Sequence, residues 1–236
     1  MWRALKEQVL NILFPLCCIG CGREGELTCA QCQETLQFLP PCCFVCGRLA
    51  PERDEACPGR TCVPCRKKTA LWAFLSPFQY EMPLIHTLIK NLKYKNARIL
   101  GRTAALLLAR YTPRLYALPA DEMILVPIPL HPRRRRRRGF NQAALIAQEY
   151  ALLTSLPVHT DLLQRIRSTY SQTTLSHEER LANIKGAFRV TKPEHAAGKT
   201  ILLVDDVKTT GATLEEAART LRKAGARKVS ALTLAR

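Results

Sequence analysis

Residues 201–213, I-L-L-V-D-D-V-K-T-T-G-A-T, constrain the fold more than any other stretch of this chain. Four consecutive uncharged aliphatic residues, Ile201, Leu202, Leu203 and Val204, read as a buried strand of a parallel sheet. Asp205 and Asp206 fall where that strand leaves the sheet. A loop of Thr and Gly follows, and Leu214, Ala217, Ala218 and Leu221 then recur at helical spacing. A strand, loop and helix in that order turn backbone N–H groups and hydroxyls toward a helix N-terminus, a ready site for a phosphate. Gly211 lets the backbone approach the anion closely. The paired carboxylates suit the hydroxyls of a ribose, or a magnesium ion reached directly or through water. The expected ligand is a sugar phosphate on the carboxyl edge of an open α/β sheet.

The charge balance agrees with an anionic ligand. Lys and Arg outnumber Asp and Glu by 36 to 19, a net charge of +17. That excess points to nucleic acid, pyrophosphate or both, and charge alone does not choose. Aromatic residues make up only 6% of the chain, so a base-stacking platform is not evident. The 236 residues, 47% apolar, support a packed core in one domain or two. Glu7, Gln8 and Asn11 interrupt the first apolar stretch, so it does not read as a secretory signal. Trp2, Leu5, Val9, Ile12 and Leu13 read instead as a short amphipathic helix. No apolar run is long enough to span a bilayer, and a chain without membrane insertion, in the cytoplasm, is expected.

All eleven cysteines precede residue 66. Cys18 and Cys21, Cys29 and Cys32, Cys43 and Cys46, and Cys62 and Cys65 are four C-x-x-C pairs. Such pairs in an odd total fit metal binding in a reducing compartment better than disulfides. Two hairpins of this kind close a tetrahedral four-cysteine site, so one or two structural zinc ions are expected. Whether the hairpins pair in order or interleave is open from spacing alone. Gly22 and Gly47 suit the tight turns, and Cys17, Cys42 and Cys57 read as bystanders. The segment holds too few large apolar residues for its own core, so metal supplies much of its folding energy. Residues 1–70 are therefore expected to form a helix and zinc-ribbon head, and residues 71–236 an α/β body.

In the body, residues 71–80 read as a strand broken at Pro77, residues 83–96 as a helix, and residues 98–110 as a second helix. Lys90, Lys93 and Lys95 are accounted for by the dipole at the first helix's C-terminus. Residues 123–128 read as a short buried strand ended by Pro127 and Pro129. Arg133, Arg134, Arg135, Arg136, Arg137 and Arg138 follow, and their mutual repulsion predicts a mobile exposed loop. It leaves the same sheet edge as the Asp205–Asp206 site, so a second anion site is expected there, for pyrophosphate or a nucleic-acid backbone. Residues 141–152 read as an amphipathic helix and 158–167 as a strand and its exit. Residues 168–176 read as a mobile loop, 177–183 as a short helix, 187–190 as an edge strand, and 228–234 as the strand that closes the sheet. The alternation predicts a mostly parallel α/β sheet.

Several of these pieces together resemble the competence protein F family, in which a phosphoribosyltransferase-like body follows a zinc-ribbon head. They are the Cys pairs, L-K-Y at 92–94, V-P-I-P-L-H-P at 126–132, R-G-F-N-Q at 138–142, R-x-R at 165–167, Q-T-x-L-S at 172–176, E-R-x-x-N at 179–183 and the 203–213 string. The resemblance implies a type I phosphoribosyltransferase fold binding PRPP (phosphoribosyl pyrophosphate) with magnesium. Asp205 and Asp206 would hold the ribose hydroxyls as the catalytic pair. Lys208, Thr209, Thr210, Gly211, Ala212 and Thr213 would hold the 5′-phosphate, Val207 would join them in binding PRPP, and Arg138 would meet the pyrophosphate. The V-P-I-P turn would carry the pyrophosphate loop, and residues 172–183 a mobile cover. It also implies a cytoplasmic role with single-stranded DNA in natural transformation or DNA utilisation, with contacts to DNA-uptake or recombination machinery. Arg133, Arg134, Arg135, Arg136 and Arg137 are the expected DNA contacts.

Two departures bear on chemistry. Relatives acting on hypoxanthine or guanine carry an acidic base at the position of Thr209, so a purine acceptor needing that base is not supported. Trp2 follows the initiator Met where glutamine-using relatives have a catalytic Cys, so no glutaminase is expected. Three functions compete: a PRPP- and DNA-binding accessory protein, a transferase on a nitrogen acceptor, and a PRPP sensor.

Overall fold

The strands of the main sheet form where the sequence is largely apolar, and both of their faces are covered over most of their length. The computed structural model describes residues 16–49, 59–94, 97–112, 123–167 and 183–236. Strands β1 (Ala73–Leu75), β2 (Met123–Pro127), β5 (Thr200–Val207) and β6 (Lys228–Ala235) make one parallel sheet, in the order β1-β6-β5-β2. Two further strands, β3 (Leu163–Arg165) and β4 (Phe188–Val190), pair with each other as an antiparallel ribbon.

Side chains alternate between two cores along the sheet. Leu125, Leu202, Val204, Leu232 and Leu234 face a core shared with helices α2 (Pro83–Asn91), α3 (Ala97–Tyr111) and α5 (Gln142–Thr154). Ile124, Val126, Ile201, Leu203, Val229 and Ala231 face the opposite core, with helix α7 (Ala212–Lys223) and the β3–β4 ribbon. Each fully buried Leu or Ile contributes about 1.5–3 kcal/mol, so the uncharged 201–204 run is what fixes this strand at the sheet centre. The result is a three-layer α/β/α body around the mostly parallel sheet that the alternation predicted.

The remaining helices are short: α1 (Ala30–Glu34) in the head, α4 (Pro132–Arg138) after β2, and α6 (Pro193–Ala196) before β5. The segments at 1–15, 50–58 and 168–182 lie outside the described residues, and with them the expected N-terminal helix, Cys57 and most of the expected cover.

Four expectations are corrected. The arginine run is helix α4, not a loop. His131 caps it by accepting from the Arg133 N–H at 3.3 Å, Pro132 occupies the first turn, and Gly139 ends it, donating to Arg135 O at 2.7 Å. Four of the six cations fall in its last turn, where the dipole offsets part of their repulsion. The 83–96 helix stops at Asn91, so Lys93 lies beyond it. Residues 187–190 do not edge the main sheet but pair in the ribbon, while Val158 alone continues beside β2 through Leu125. Finally, β6 does not close the sheet; it lies inside, between β1 and β5. Among the described residues no helix is long and apolar enough to cross a membrane.

Candidate functional site

Parallel neighbours β2 and β5 are last paired at Pro127 and Val204, with the Ile128 N–H on Val204 O at 2.9 Å, and β5 continues to Val207. Their two exits therefore share one sheet edge. From β5 come Asp205 and Asp206; from β2 come Ile128, Pro129, Leu130 and the arginine helix. Between them lies a concave site of about 300 Å³.

The acidic pair forms the floor. The Asp206 N–H donates to Asp205 Oδ1 at 2.9 Å, and the Val207 N–H to Asp206 Oδ1 at 2.8 Å, fixing both carboxylates against the strand end. Both residues are half-buried. Burial, then the adjoining Asp206 charge, pushes the Asp205 carboxyl well above the usual carboxylate range. Burial pushes Asp206 up as well, while Lys93 and Arg138 pull it back. Two adjacent enclosed carboxylates with too little positive charge are a donor set a divalent cation neutralises.

The following loop turns at Gly211, whose φ of 81° is left-handed, and α7 begins at Ala212. Val207, Lys208, Thr209, Gly211 and Thr213 line the cavity with the acidic pair. Thr210 does not line it; its hydroxyl accepts from the Ala212 N–H at 3.4 Å, and Ala212 itself is buried in the core. The opening of α7 thus faces the cavity, the arrangement that favours a phosphate.

The helix sorts the six arginines by face. Arg134 and Arg138, one turn apart, line the acidic cavity with Lys93 and Arg165. Arg133 and Arg137 join Arg134, Arg138, Lys93, Tyr94 and Phe140 around an adjoining groove of about 1160 Å³. Arg135 and Arg136 face a third hollow, shared with Gln148 and Gln164. Asn141 ties the end of this segment back to the strand exit, donating from Nδ2 to Ile128 O at 2.9 Å.

In the head the hairpins pair in order. Cys18, Cys21, Cys29 and Cys32 form one group, and Cys43, Cys46, Cys62 and Cys65 another, the four sulfurs of each lying within 4.8 Å of one another. The two knuckles repeat the same backbone. Gly22 N–H donates to Cys18 O at 2.8 Å and Gly47 N–H to Cys43 O at 2.9 Å, both glycines at positive φ. In each group the first thiol is drawn down. Burial pushes Cys18 up, but N–H groups of Cys29, Cys21 and Gly20 outweigh it and bring it down to about 6. At Cys43, N–H groups of Cys46, Cys62 and Val45 likewise overcome burial, to about 6. The last thiol of each group is pushed up to about 12: Cys32 by the thiols of Cys21 and Cys29, Cys65 by that of Cys62 and by burial. Four sulfurs that cannot all ionise together until a cation neutralises them fit a tetrahedral zinc ion. Cys17 and Cys42 stand outside both groups, each one step before a ligand.

The phosphoribosyl transferase domain matches residues 137–236, covering the acidic pair, the 207–213 loop and α7. Competence protein F of Haemophilus influenzae is 33% identical over 232 residues, 94% of this chain and 98% of its own length. The chain belongs to the competence protein F family. The DNA utilization protein YhgH of Salmonella typhi is 34% identical over 82% of this chain and 89% of its own. Competence protein ComFC of Bacillus subtilis is 40% identical over 119 residues, half of this chain and 46% of its own.

In this competence protein F relative, several residues of the cavity escape sequence reasoning. A helix dipole suffices to explain Lys93 in the sequence, yet in the fold it is the leading favourable charge on Asp206. Arg165, 8% exposed, lines the cavity near Asp205. Both lie in family-like strings, L-K-Y and R-x-R, which are the available signal. Arg134 carries no separate signal, because only helical periodicity divides one arginine from the next. Tyr94 and Phe140, in the adjoining groove, escape because a low overall aromatic content says nothing about where the few aromatics lie.

Proposed function

We propose that this protein binds PRPP with magnesium at the acidic cavity and holds single-stranded DNA in the adjoining groove, serving cytoplasmic handling of imported DNA. The observation that carries the reading is that the two hollows share a wall: Lys93, Arg134 and Arg138 line both. Asp205 and Asp206 would take the ribose hydroxyls and magnesium, the 207–213 loop the 5′-phosphate, and Arg134, Arg138 and Arg165 the pyrophosphate. Arg133 and Arg137 would follow the phosphates of a strand whose bases meet Tyr94 and Phe140, a chemistry in which stacking contributes about 1–3 kcal/mol per base. Relatives named for competence and for DNA utilisation support a role with DNA. The head, residues 1–70, would hold two structural zinc ions, and the body, residues 71–236, would carry both anionic ligands.

A transferase reading keeps one support, the three guanidinium groups gathered at the side of the cavity where pyrophosphate would depart. There an acceptor nitrogen would attack the anomeric carbon, the bond to pyrophosphate would break with its electron pair, and the nitrogen's proton would pass to solvent. With Thr209 in place of an acidic base, positioning and charge stabilisation would carry the rate.

The test is paired. Calorimetry should show magnesium-dependent PRPP uptake by the wild type, weakened about a hundredfold or more in Asp205→Ala/Asp206→Ala. Anisotropy of a labelled oligonucleotide at low salt should show single-strand binding, weakened in Arg133→Ala/Arg137→Ala with a shallower salt dependence. A wild type that takes up no PRPP sinks the first half; one that leaves the oligonucleotide free sinks the second. Pyrophosphate released only with an added acceptor would select the transferase.

A further inference from the structure

The second knuckle does more than fold the head. Its tip carries Phe44, between Cys43 and Cys46, and that ring rests on the phosphate loop. A Cβ on Gly211 would lie 2.6 Å from Phe44 Cζ and 2.9 Å from Cε2, so the ring fills the space a side chain there would need. Beside it the Lys208 ammonium sits 5.3 Å from the Phe44 ring centre and 5.4 Å from that of Phe74. The two rings meet edge to face at 5.4 Å. Lys208 is thereby held between two aromatic rings, an attraction for a cation, while burial lowers its pKa. Its own backbone N–H donates to Ala235 O at 2.9 Å.

Other contacts bring the same module to the same place. Cys42 Sγ meets the Arg236 guanidinium, which also donates to Pro40 O at 3.1 Å. Beyond Cys65, the Thr69 hydroxyl and the Ala70 N–H both donate to Glu215 in the first turn of α7. The second four-cysteine module therefore grips the loop from one side and the helix behind it from the other. The first lies elsewhere: Gly20 faces Leu84 of α2, and Arg110 of α3 donates to Gln33 at 2.8 Å.

We propose that Phe44 is a positioning residue, through which the second four-cysteine knuckle holds the 208–213 loop in its phosphate-binding shape. The site's affinity for a sugar phosphate then depends on the metal of the second knuckle and not on that of the first. This rests on the PRPP reading above. Phe44 acts at a distance from the ligand: it limits the conformations of Gly211 and keeps Lys208 at the cavity wall, reducing the ordering cost of binding.

The experiment compares Phe44→Ala, Phe44→Leu, Cys18→Ser/Cys21→Ser and Cys43→Ser/Cys46→Ser with the wild type. It measures zinc per chain, PRPP dissociation constant and amide exchange across 207–213. Phe44→Ala should keep wild-type zinc, weaken PRPP about tenfold and speed exchange in the loop. Phe44→Leu, which restores an apolar cover, should recover most of both. The second Cys pair should reproduce the loss, and the first should leave PRPP affinity within about twofold of wild type. Wild-type affinity and exchange in Phe44→Ala overturn the proposal, as does an equal loss of affinity from the two Cys pairs. If the wild type itself takes up no PRPP, the ligand assignment falls while the exchange data still decide whether Phe44 orders the loop.

Discussion

The two zinc-type knuckles are copies in backbone and opposites in placement. Each opens with a C-x-x-C-G turn, each pairs the residue before its first ligand with one seven positions on (Cys17 with Glu24, Cys42 with Leu49), and each lowers its first thiol through N–H donors. The first sets Ile19 and Leu27 against the core under α2 and α3. The second sets Phe44 against the 208–213 loop. The same four-cysteine turn thus serves as an anchor in one place and, in the other, as a support behind the loop that lines the candidate site. What a knuckle does is decided by the one residue at its tip and by what that residue touches.

Removing metal should produce the largest effect, and should treat the two alike. Metal binding to a four-cysteine module is worth on the order of 10 kcal/mol, most of it folding energy for a segment without its own core. Cys18→Ser/Cys21→Ser and Cys43→Ser/Cys46→Ser should each lower bound zinc from two ions to one and render the respective segment protease-sensitive. Metal analysis with limited proteolysis checks this. If either double variant keeps both ions, that group is not a zinc site.

The anchors should separate the modules next. Glu215, its side chain 12% exposed, accepts from Thr69 and Ala70 and pairs with Arg219 at 2.9 Å. Hydrogen bonds to a charged, enclosed acceptor contribute about 1.5–3 kcal/mol, and Glu215→Ala should lose most of that in urea unfolding. The polar tie of the first module, Arg110 to Gln33, is exposed, so Arg110→Ala should cost about 0.5 kcal/mol or less. Equal losses would show that the second module is no more firmly joined than the first.

Only the second module borders a site held at a cost. Asp205 titrates higher in the folded chain than unfolded, so folding binds protons and the carboxylate opposes folding once pH exceeds its unfolded value. Asp205→Asn should therefore raise Tm at pH 7–8, by roughly 2–4 °C per kcal/mol recovered, and the gain should fade as pH falls below about 4. Magnesium should narrow the same gap by binding the wild-type pair. A thermal scan across pH checks it; a variant less stable than wild type at pH 8 contradicts the assignment.

Local signals make much of this legible. The 201–204 run, the acidic pair and the T-T-G-A-T loop occupy adjacent positions, so strand, turn and helix start can be read together; the Cys pairs are equally plain, but that they group in order comes from the structure. Strand order is not legible, because β6 follows β5 in sequence whether it lies inside the sheet or at its edge. The arginine helix is hidden because repulsion is obvious in a sequence, whereas His131, Pro132 and Gly139, which start and stop it, are ordinary residues around it. Phe44 on Gly211 is beyond reach: 167 positions separate them, and a phenylalanine between two ligands has no periodicity to betray its partner.

The smallest expected difference is also the closest controlled one. Cys17 and Cys42 hold the same position in the two knuckles, each bridged across its turn and neither among the four ligands. Cys17 is exposed, whereas Cys42 is 6% exposed in the core behind the 208–213 loop. Burial pushes the Cys42 thiol up, with Arg236 and Lys208 opposing, so at neutral pH it is a small apolar filler more than a nucleophile. Cys17→Ala should change stability by less than about 0.5 kcal/mol, as surface substitutions do, and Cys42→Ala should cost about 1 kcal/mol through lost packing. In the zinc-loaded protein, iodoacetamide should label Cys17 promptly and reach Cys42 only on unfolding, which peptide mapping by mass spectrometry resolves. Because the two positions share backbone, bridge and neighbouring ligand, a matching reactivity would mean that Cys42 is open to solvent. The second knuckle would then stand off the body, and Phe44 with it.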